Sequence, residues 1–168
     1  FAVTGKGARD WLNIIMAGRI PAVGRMSLTP MLSPKGKLMG DFTVSCLAED
    51  NFQLTASYGA QEIHYRWFMK HLQGDVRVRN VSDRRTGFQI AGPKSRELLS
   101  LCTRYDVPSV KFLDVVRMTI GQVDCTVQRV SYTGDLGYEI YCDPMDQRQL
   151  WQTLWNVGQP LGITPFGM

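Results

Sequence analysis

Two carboxylates in this chain stand where they could do chemistry, Glu139 and Asp41. Glu139 lies in the stretch Ser131-Tyr132-Thr133-Gly134-Asp135-Leu136-Gly137-Tyr138-Glu139-Ile140-Tyr141. Gly134 and Gly137 supply backbone freedom that a bulky residue lacks, so a turn there brings the carboxylate in among aromatic residues. A carboxylate so placed suits a flat ligand with several N–H donors, such as a pterin. A tight hairpin with a surface glutamate fits the same residues, because Gly-x-x-Gly is a weak pattern. Asp41 follows Gly40 in an otherwise apolar run from Leu38 to Val44. Glycine beside it allows close approach of a ligand or another backbone, and a positioned carboxylate can act as a general base. The plainer reading is a charge on the wet face of an antiparallel strand. A shared role requires the two carboxylates to converge on one pocket.

Other chemistries find no candidates. There is no Ser-His-Asp set, no Walker-type loop and no Gly-x-Gly-x-x-Gly after a strand, so no dinucleotide site of that kind is expected in this chain. The four cysteines, Cys46, Cys102, Cys125 and Cys142, form no Cys-x-x-Cys pair. They read as reduced, mostly buried small hydrophobes in a reducing compartment. His64 and His71 read as two positions along one amphipathic helix, and no metal site is expected.

The 168 residues suffice for one domain with a real core, or two small ones sharing a core. The net charge of +4 and pI near 9.0 favour anionic partners without singling out nucleic acid. The densest basic cluster, Arg77, Arg79, Arg84 and Arg85, lies on an alternating run and its turn, and no aromatic-basic RNA motif is present, so nucleic acid is not an expected partner. No apolar run approaches the roughly 20 residues that cross a bilayer, no signal-peptide pattern opens the chain, and no membrane partner is expected. Phe1-Ala2-Val3 reads as mid-strand and Pro165-Phe166-Gly167-Met168 lacks a closing element, so both ends read as cut from a longer protein.

The elements that must position the carboxylates follow from periodicity. A strand at 1–4 leads to a helix with Ala8, Trp11, Leu12, Ile15 and Met16 on its apolar face, capped by Thr4 and ended by Gly18. Met26 to Leu32 contains Pro30, so it is an edge or broken strand. Leu38 to Leu47 and Phe52 to Ala56 form a hairpin, and a helix follows over 60–73 with Ile63, Trp67 and Phe68 inward. The alternation of Val76 to Val81 puts Arg77 and Arg79 on a wet face. Gly87 to Ala91 is a strand, Gly92-Pro93 opens a helix to about Thr103, and Val115 to Ile120 pairs with Val123 to Val130 across Gly121-Gln122. After the Glu139 strand, Tyr138 to Cys142, Asp143-Pro144 starts a last helix with Leu150, Leu154 and Trp155 on one face. Hairpin-joined strands predict an α+β fold with antiparallel sheets and packed helices, not a doubly wound parallel sheet.

Three blocks then resemble the folate-binding aminomethyltransferase family, which includes the T-protein of the glycine cleavage system. They are Met31-Leu32-Ser33-Pro34-Lys35-Gly36 leading to Asp41-Phe42-Thr43-Val44; Gln89-Ile90-Ala91-Gly92-Pro93-Lys94-Ser95; and Tyr132-Thr133-Gly134-Asp135-Leu136-Gly137-Tyr138-Glu139-Ile140. Within that family the wording of Phe1–Gly5, Ile20–Gly24 and Gly162–Gly167 is most similar to the C-terminal parts of dimethylglycine and sarcosine dehydrogenases. The resemblance implies that residues 1–168 are a fragment of one folate-binding aminomethyltransferase-like domain, without the flavin domain or the C-terminal barrel. It implies tetrahydrofolate as cofactor, and FAD in an N-terminal dehydrogenase domain of the same chain. The one-carbon unit of an iminium, or its formaldehyde equivalent, would pass to tetrahydrofolate to give 5,10-methylene-tetrahydrofolate. The compartment implied is the cytoplasm in a bacterium and the mitochondrial matrix in a eukaryote.

The same resemblance assigns roles. Glu139 matches the glutamate that hydrogen-bonds the pterin, and Asp41 the aspartate that orients or deprotonates the attacking folate amine. Tyr132 and Thr133 line the pterin slot, Met31 and Leu32 form an apolar wall, and Ser57 and Tyr58 fall where the family often has an asparagine beside the ligand. Two departures stand out: Gly40 replaces the first of a common acidic pair, and the family's arginine-bearing segment after the last helix is not in the sequence. Without that segment the fragment alone is expected to be inactive. A folate-binding or assembly module of the same fold, without transfer chemistry, is the alternative.

Overall fold

The computed structural model describes residues 1–167 and divides into two compact units, one over 1–82 and one from Asp83 onward. In the first, β1 (Ala2–Thr4), β2 (Met26–Leu32), β3 (Leu38–Ala48), β4 (Asn51–Thr55) and β5 (Arg77–Arg79) form one antiparallel sheet in the order β2-β3-β4-β1-β5. Helices α1 (Ala8–Ile15) and α2 (Gln61–Lys70) close it. Val3, Trp11, Leu12, Met31, Phe42, Phe52 and Phe68 are buried in its core. The indole N–H of Trp11 donates to the Leu72-preceding carbonyl of His71 at 2.8 Å, so the largest core side chain keeps its polar atom satisfied. Pro30 sits in β2, an edge strand, where the missing N–H breaks no ladder.

The second unit is a four-stranded antiparallel sheet in the order β6-β9-β8-β7, formed by β6 (Thr86–Ala91), β7 (Val115–Ile120), β8 (Val123–Gln128) and β9 (Gly137–Cys142). Helices α3 (Ser95–Cys102) and α4 (Gln147–Gly158) belong to it. One sheet face, with Ile90, Val127, Tyr138 and Ile140, joins Leu98, Leu99, Leu150 and Leu154 in a core. Strand period two puts Gln89, Gln128 and Glu139 on the opposite face. The antiparallel α+β expectation is what the structure shows.

Several local expectations change. Ile63 is 61% exposed, and the inward positions of α2 are His64 and Phe68. An imidazole takes the inward position with its Nε2 bonded to the Met39 carbonyl oxygen at 3.1 Å, which offsets part of the cost of burying a polar ring; its Nδ1 has no partner among the described residues. Thr4 does not cap α1; the cap position is Gly7, with no side-chain bond. Nor does Gly18 end that helix, which stops at Ile15. Gly18 is there for close approach: a Cβ would come within 2.0 Å of Thr29 Oγ1. Helix α3 does not open at Gly92-Pro93: Gly92 takes a φ of +113° and the helix runs from Ser95 to Cys102. All four cysteines are buried and free of disulfides.

Candidate functional site

Glu139 sits in β9 between β6 and β8. It is the Cα partner of Gln89 on one side and Gln128 on the other, so three long polar side chains stand in a row across three strands. The sequence expectation put Glu139 among aromatic rings on both sides. The structure sends Tyr138 to the other face, fully buried in the core, because neighbours in a strand point oppositely. Tyr141, two residues on, shares the Glu139 face and donates its hydroxyl proton to Glu139 Oε2 at 2.8 Å. Glu139 is half-buried, and burial pushes its carboxyl above the ordinary value, opposed by the Tyr141 bond. The amide nitrogen of Gln89 is shielded from water and has no hydrogen-bond partner among the described residues.

The loop before β9 is tied down at both ends. Ser131 Oγ donates to the Asp135 carbonyl oxygen at 2.6 Å, and the Leu136 carbonyl oxygen accepts from Gly92 N and Ser95 Oγ, both at 2.8 Å. Gly134 has φ +82°, a left-handed conformation that needs glycine. Gly137 answers a different need: a Cβ there would lie 2.6 Å from the Ile90 carbonyl oxygen, so only glycine lets β9 approach β6. Between these anchors Tyr132 is 77% exposed and Thr133 is exposed.

The remaining predicted residues belong to the first unit. Asp41 is exposed in β3, opposite Pro30. Met31 is fully buried in the core, whereas Leu32 beside it is 37% exposed. Ser57 and Tyr58 follow β4 and are both exposed. Gly40, the departure from the acidic pair, has a physical account: a Cβ at that position would come within 2.6 Å of His64 Nε2 and of Phe42 Cε2. The ring of His64 occupies the space an acidic side chain would need.

Gln89, Gln128 and Tyr141 were not singled out as site residues from the sequence. The signal was there, because a glutamine between Phe88 and Ile90, and another after Val127, interrupts apolar strands on the Glu139 side of the alternation. A cavity of about 620 Å³ lies at the open edge of β6, lined by Phe88, Gln89, Trp151, Trp155, Ile163 and Phe166 among others. Glu139 does not line it, and its only titratable group, Lys94, donates to the Leu161 carbonyl oxygen at 3.2 Å. Among the described residues no three His, Cys, Asp or Glu side chains gather as metal ligands, and no helix is long and apolar enough to cross a membrane.

A family model described as the GCVT N-terminal domain matches residues 1–168, and the chain belongs to that family. It is 33% identical over 172 residues to mitochondrial dimethylglycine dehydrogenase of Rattus norvegicus, covering 99% of this chain and 20% of that protein. It is 36% identical over 170 residues to the aminomethyltransferase of Alkaliphilus metalliredigens, covering 99% of this chain and 46% of that one. The chain thus spans from a fifth to about half the length of these curated relatives. Among solved structures, glycine cleavage system aminomethyltransferase T from Bartonella henselae superposes with a TM-score of 0.80 at 22% identity, over 91% of this chain and 42% of that one. A chain of heterotetrameric sarcosine oxidase from Corynebacterium sp. U-96 superposes with a TM-score of 0.71 at 15% identity, over 99% and 82%. Both structures share the fold.

Proposed function

We propose that this chain is the tetrahydrofolate-binding domain of a flavin-dependent N-methylglycine dehydrogenase acting on dimethylglycine or sarcosine. Its role is to pass the one-carbon unit of the iminium, or of formaldehyde, to tetrahydrofolate, giving 5,10-methylene-tetrahydrofolate. The observation that carries this reading is Glu139: a half-buried carboxylate with a raised pKa, one oxygen bonded to Tyr141, in register between Gln89 and Gln128. Such a group is costly to ionise without partners, and two ligand N–H donors supply them in a charge-assisted geometry. The residues present fit a pterin edge, and in this reading the flavin sits in a dehydrogenase domain of the same chain.

Asp41 is the general base in this reading. Bound tetrahydrofolate would supply the attacking amine and accept the one-carbon unit; Asp41 would take the proton which that amine gives up and return it to the departing substrate amine. Asp41 is exposed and forms no ion pair among the described residues, so its carboxylate is accessible to a substrate amine. Tyr132 and Thr133 are the proposed pterin-slot residues in the loop before β9; Leu32, Ser57 and Tyr58 are the exposed candidates in the first unit, where Met31 is wholly buried in the core and offers a ligand no surface.

Calorimetric titration of the 168-residue chain with tetrahydrofolate, beside Glu139→Ala, tests this. Binding that the variant loses supports the reading. Binding that the variant keeps unchanged overturns the role of Glu139, and no binding by the wild type overturns the folate reading for this chain. In a flavin enzyme carrying the chain, unchanged transfer by Asp41→Asn would favour a folate-binding module without transfer chemistry.

A further inference from the structure

We infer that Gln89 is a specificity-determining residue of the Glu139 site, donating its amide N–H to a carbonyl oxygen of the ligand. This rests on the folate reading and deepens it. Three observations carry it. Gln89 and Glu139 are directly opposed in β6 and β9, so their side chains leave the same sheet face side by side. Gln89 Nε2 is buried and lacks a partner among the described residues. A buried amide N–H without a partner is costly, and a ligand atom or an ordered water completes it in the working protein. Glu139 meanwhile bonds Tyr141 through Oε2 and holds acceptor capacity in reserve.

The pair therefore presents an acceptor beside a donor. The complement is a planar heterocycle whose edge runs amino N–H, ring N–H, then carbonyl oxygen. Glu139 takes the two N–H groups and Gln89 the oxygen. A ring with an amino group and ring N–H but no adjacent carbonyl would leave Gln89 unpaired again. Such an edge belongs to 2-amino-4-oxo pterins and also to guanine, and the two sources need separating. Two groups from neighbouring strands, about 4.8 Å apart, can span one side of a bicyclic ring without backbone movement. The position is independent of the loop before β9, so this role differs from that of Tyr132 or Thr133.

The test uses the 168-residue chain, tetrahydrofolate carrying ¹⁸O at its ring carbonyl, and guanosine as the second probe. Isotope-edited infrared spectra of the bound ligand are recorded for wild type, Gln89→Leu and Gln89→Ala, with affinities measured alongside. The expected result is a carbonyl band lower in wild type than in either variant, and affinity for tetrahydrofolate about tenfold weaker in both, as for loss of one buried hydrogen bond. Guanosine is expected to bind far more weakly than tetrahydrofolate. If tetrahydrofolate binds in a Glu139-dependent way but neither the band nor the affinity responds to Gln89, the inference falls and the folate reading stands. If guanosine binds with that Gln89 dependence and tetrahydrofolate does not bind, the folate reading falls and Gln89 keeps its role toward the shared edge. If neither probe binds, both fall. A variant that melts early but leaves the band of its bound ligand in place marks Gln89 as structural only, which also overturns the inference.

Discussion

Asp41 and Glu139 both stand on strands of antiparallel sheets, yet the two units hold them in opposite ways. In the first unit Asp41 is exposed, and its strand neighbour on one side is Pro30, which offers no N–H. In the second, Glu139 is half-buried, flanked by two glutamines and bonded by Tyr141, with its carboxyl pushed up by burial. Water already solvates an exposed carboxylate, so it gains little by binding and can trade protons freely. A desolvated one gains much from ligand N–H donors. The proposed function matches this contrast, with Glu139 as the binding group and Asp41 as the proton acceptor.

The sharpest way to break that division is to exchange the effects. Glu139→Ala removes two charge-assisted bonds, each worth about 1.5–3 kcal/mol, so tetrahydrofolate affinity should fall by on the order of a hundredfold or more. Asp41→Asn should leave affinity within about twofold while slowing transfer by roughly a hundredfold, the usual scale for a general base. Equal losses of affinity in both variants would end the division of labour.

The glycines beside the carboxylates sharpen the comparison further. A Cβ on Gly137 meets backbone, the Ile90 carbonyl oxygen at 2.6 Å and Ala91 Cα at 3.2 Å, and the sheet cannot give way without losing register. Gly137→Ala should cost about 2–3 kcal/mol and lower the melting temperature by roughly 5–10 °C. A Cβ on Gly40 meets the ends of two side chains, His64 and Phe42. Gly40→Ala should cost only about 1–2 kcal/mol, and combining it with His64→Ala should cost less than the sum of the single changes. Additive costs would show that the His64 ring is not what excludes a side chain, acidic or otherwise, from position 40.

The same two regions show what was legible beforehand. Elements with a plain period were: β7 and β8 with their two-residue turn, the edge character of β2 from Pro30, and the wet face of β5 from Arg77 and Arg79. The antiparallel class followed from those hairpins. Helix faces were less so, because hydrophobicity alone places Ile63 inside, whereas a histidine with a carbonyl partner wins the core position. The site was half legible. Glu139 stood out by its glycines, but Gln89 and Gln128 became its neighbours only through a pairing between residues that lie 50 and 11 positions away in sequence, and no local pattern encodes that register. Gly18 and Gly40 were read as a helix stop and as room for a ligand, while the structure shows Thr29 and His64 filling those spaces.

The smallest effect expected is a pH dependence, and its sign separates the two carboxylates most cleanly. Burial raises the pKa of Glu139 in the free protein, so the native state holds that proton to a higher pH than the unfolded chain does. Its contribution to stability is fully present below the unfolded value and is lost as pH rises through the raised folded value. Ligand N–H donors need the ionised form, so affinity for tetrahydrofolate should climb through that same window, by at most about tenfold per pH unit, and level off above it. Glu139→Gln should flatten both curves, giving weak binding at every pH and a melting temperature that no longer falls across the window. Tyr141→Phe should do something different. It removes the one hydrogen bond that favours the ionised carboxyl, so both transitions should move to higher pH while the plateau survives. Asp41→Asn should leave both curves where they are. Titrations at a series of pH values, with thermal melts on the same samples, check all three, and curves that shift with Asp41 and not with Tyr141 would reverse the assignment of which carboxylate meets the ligand.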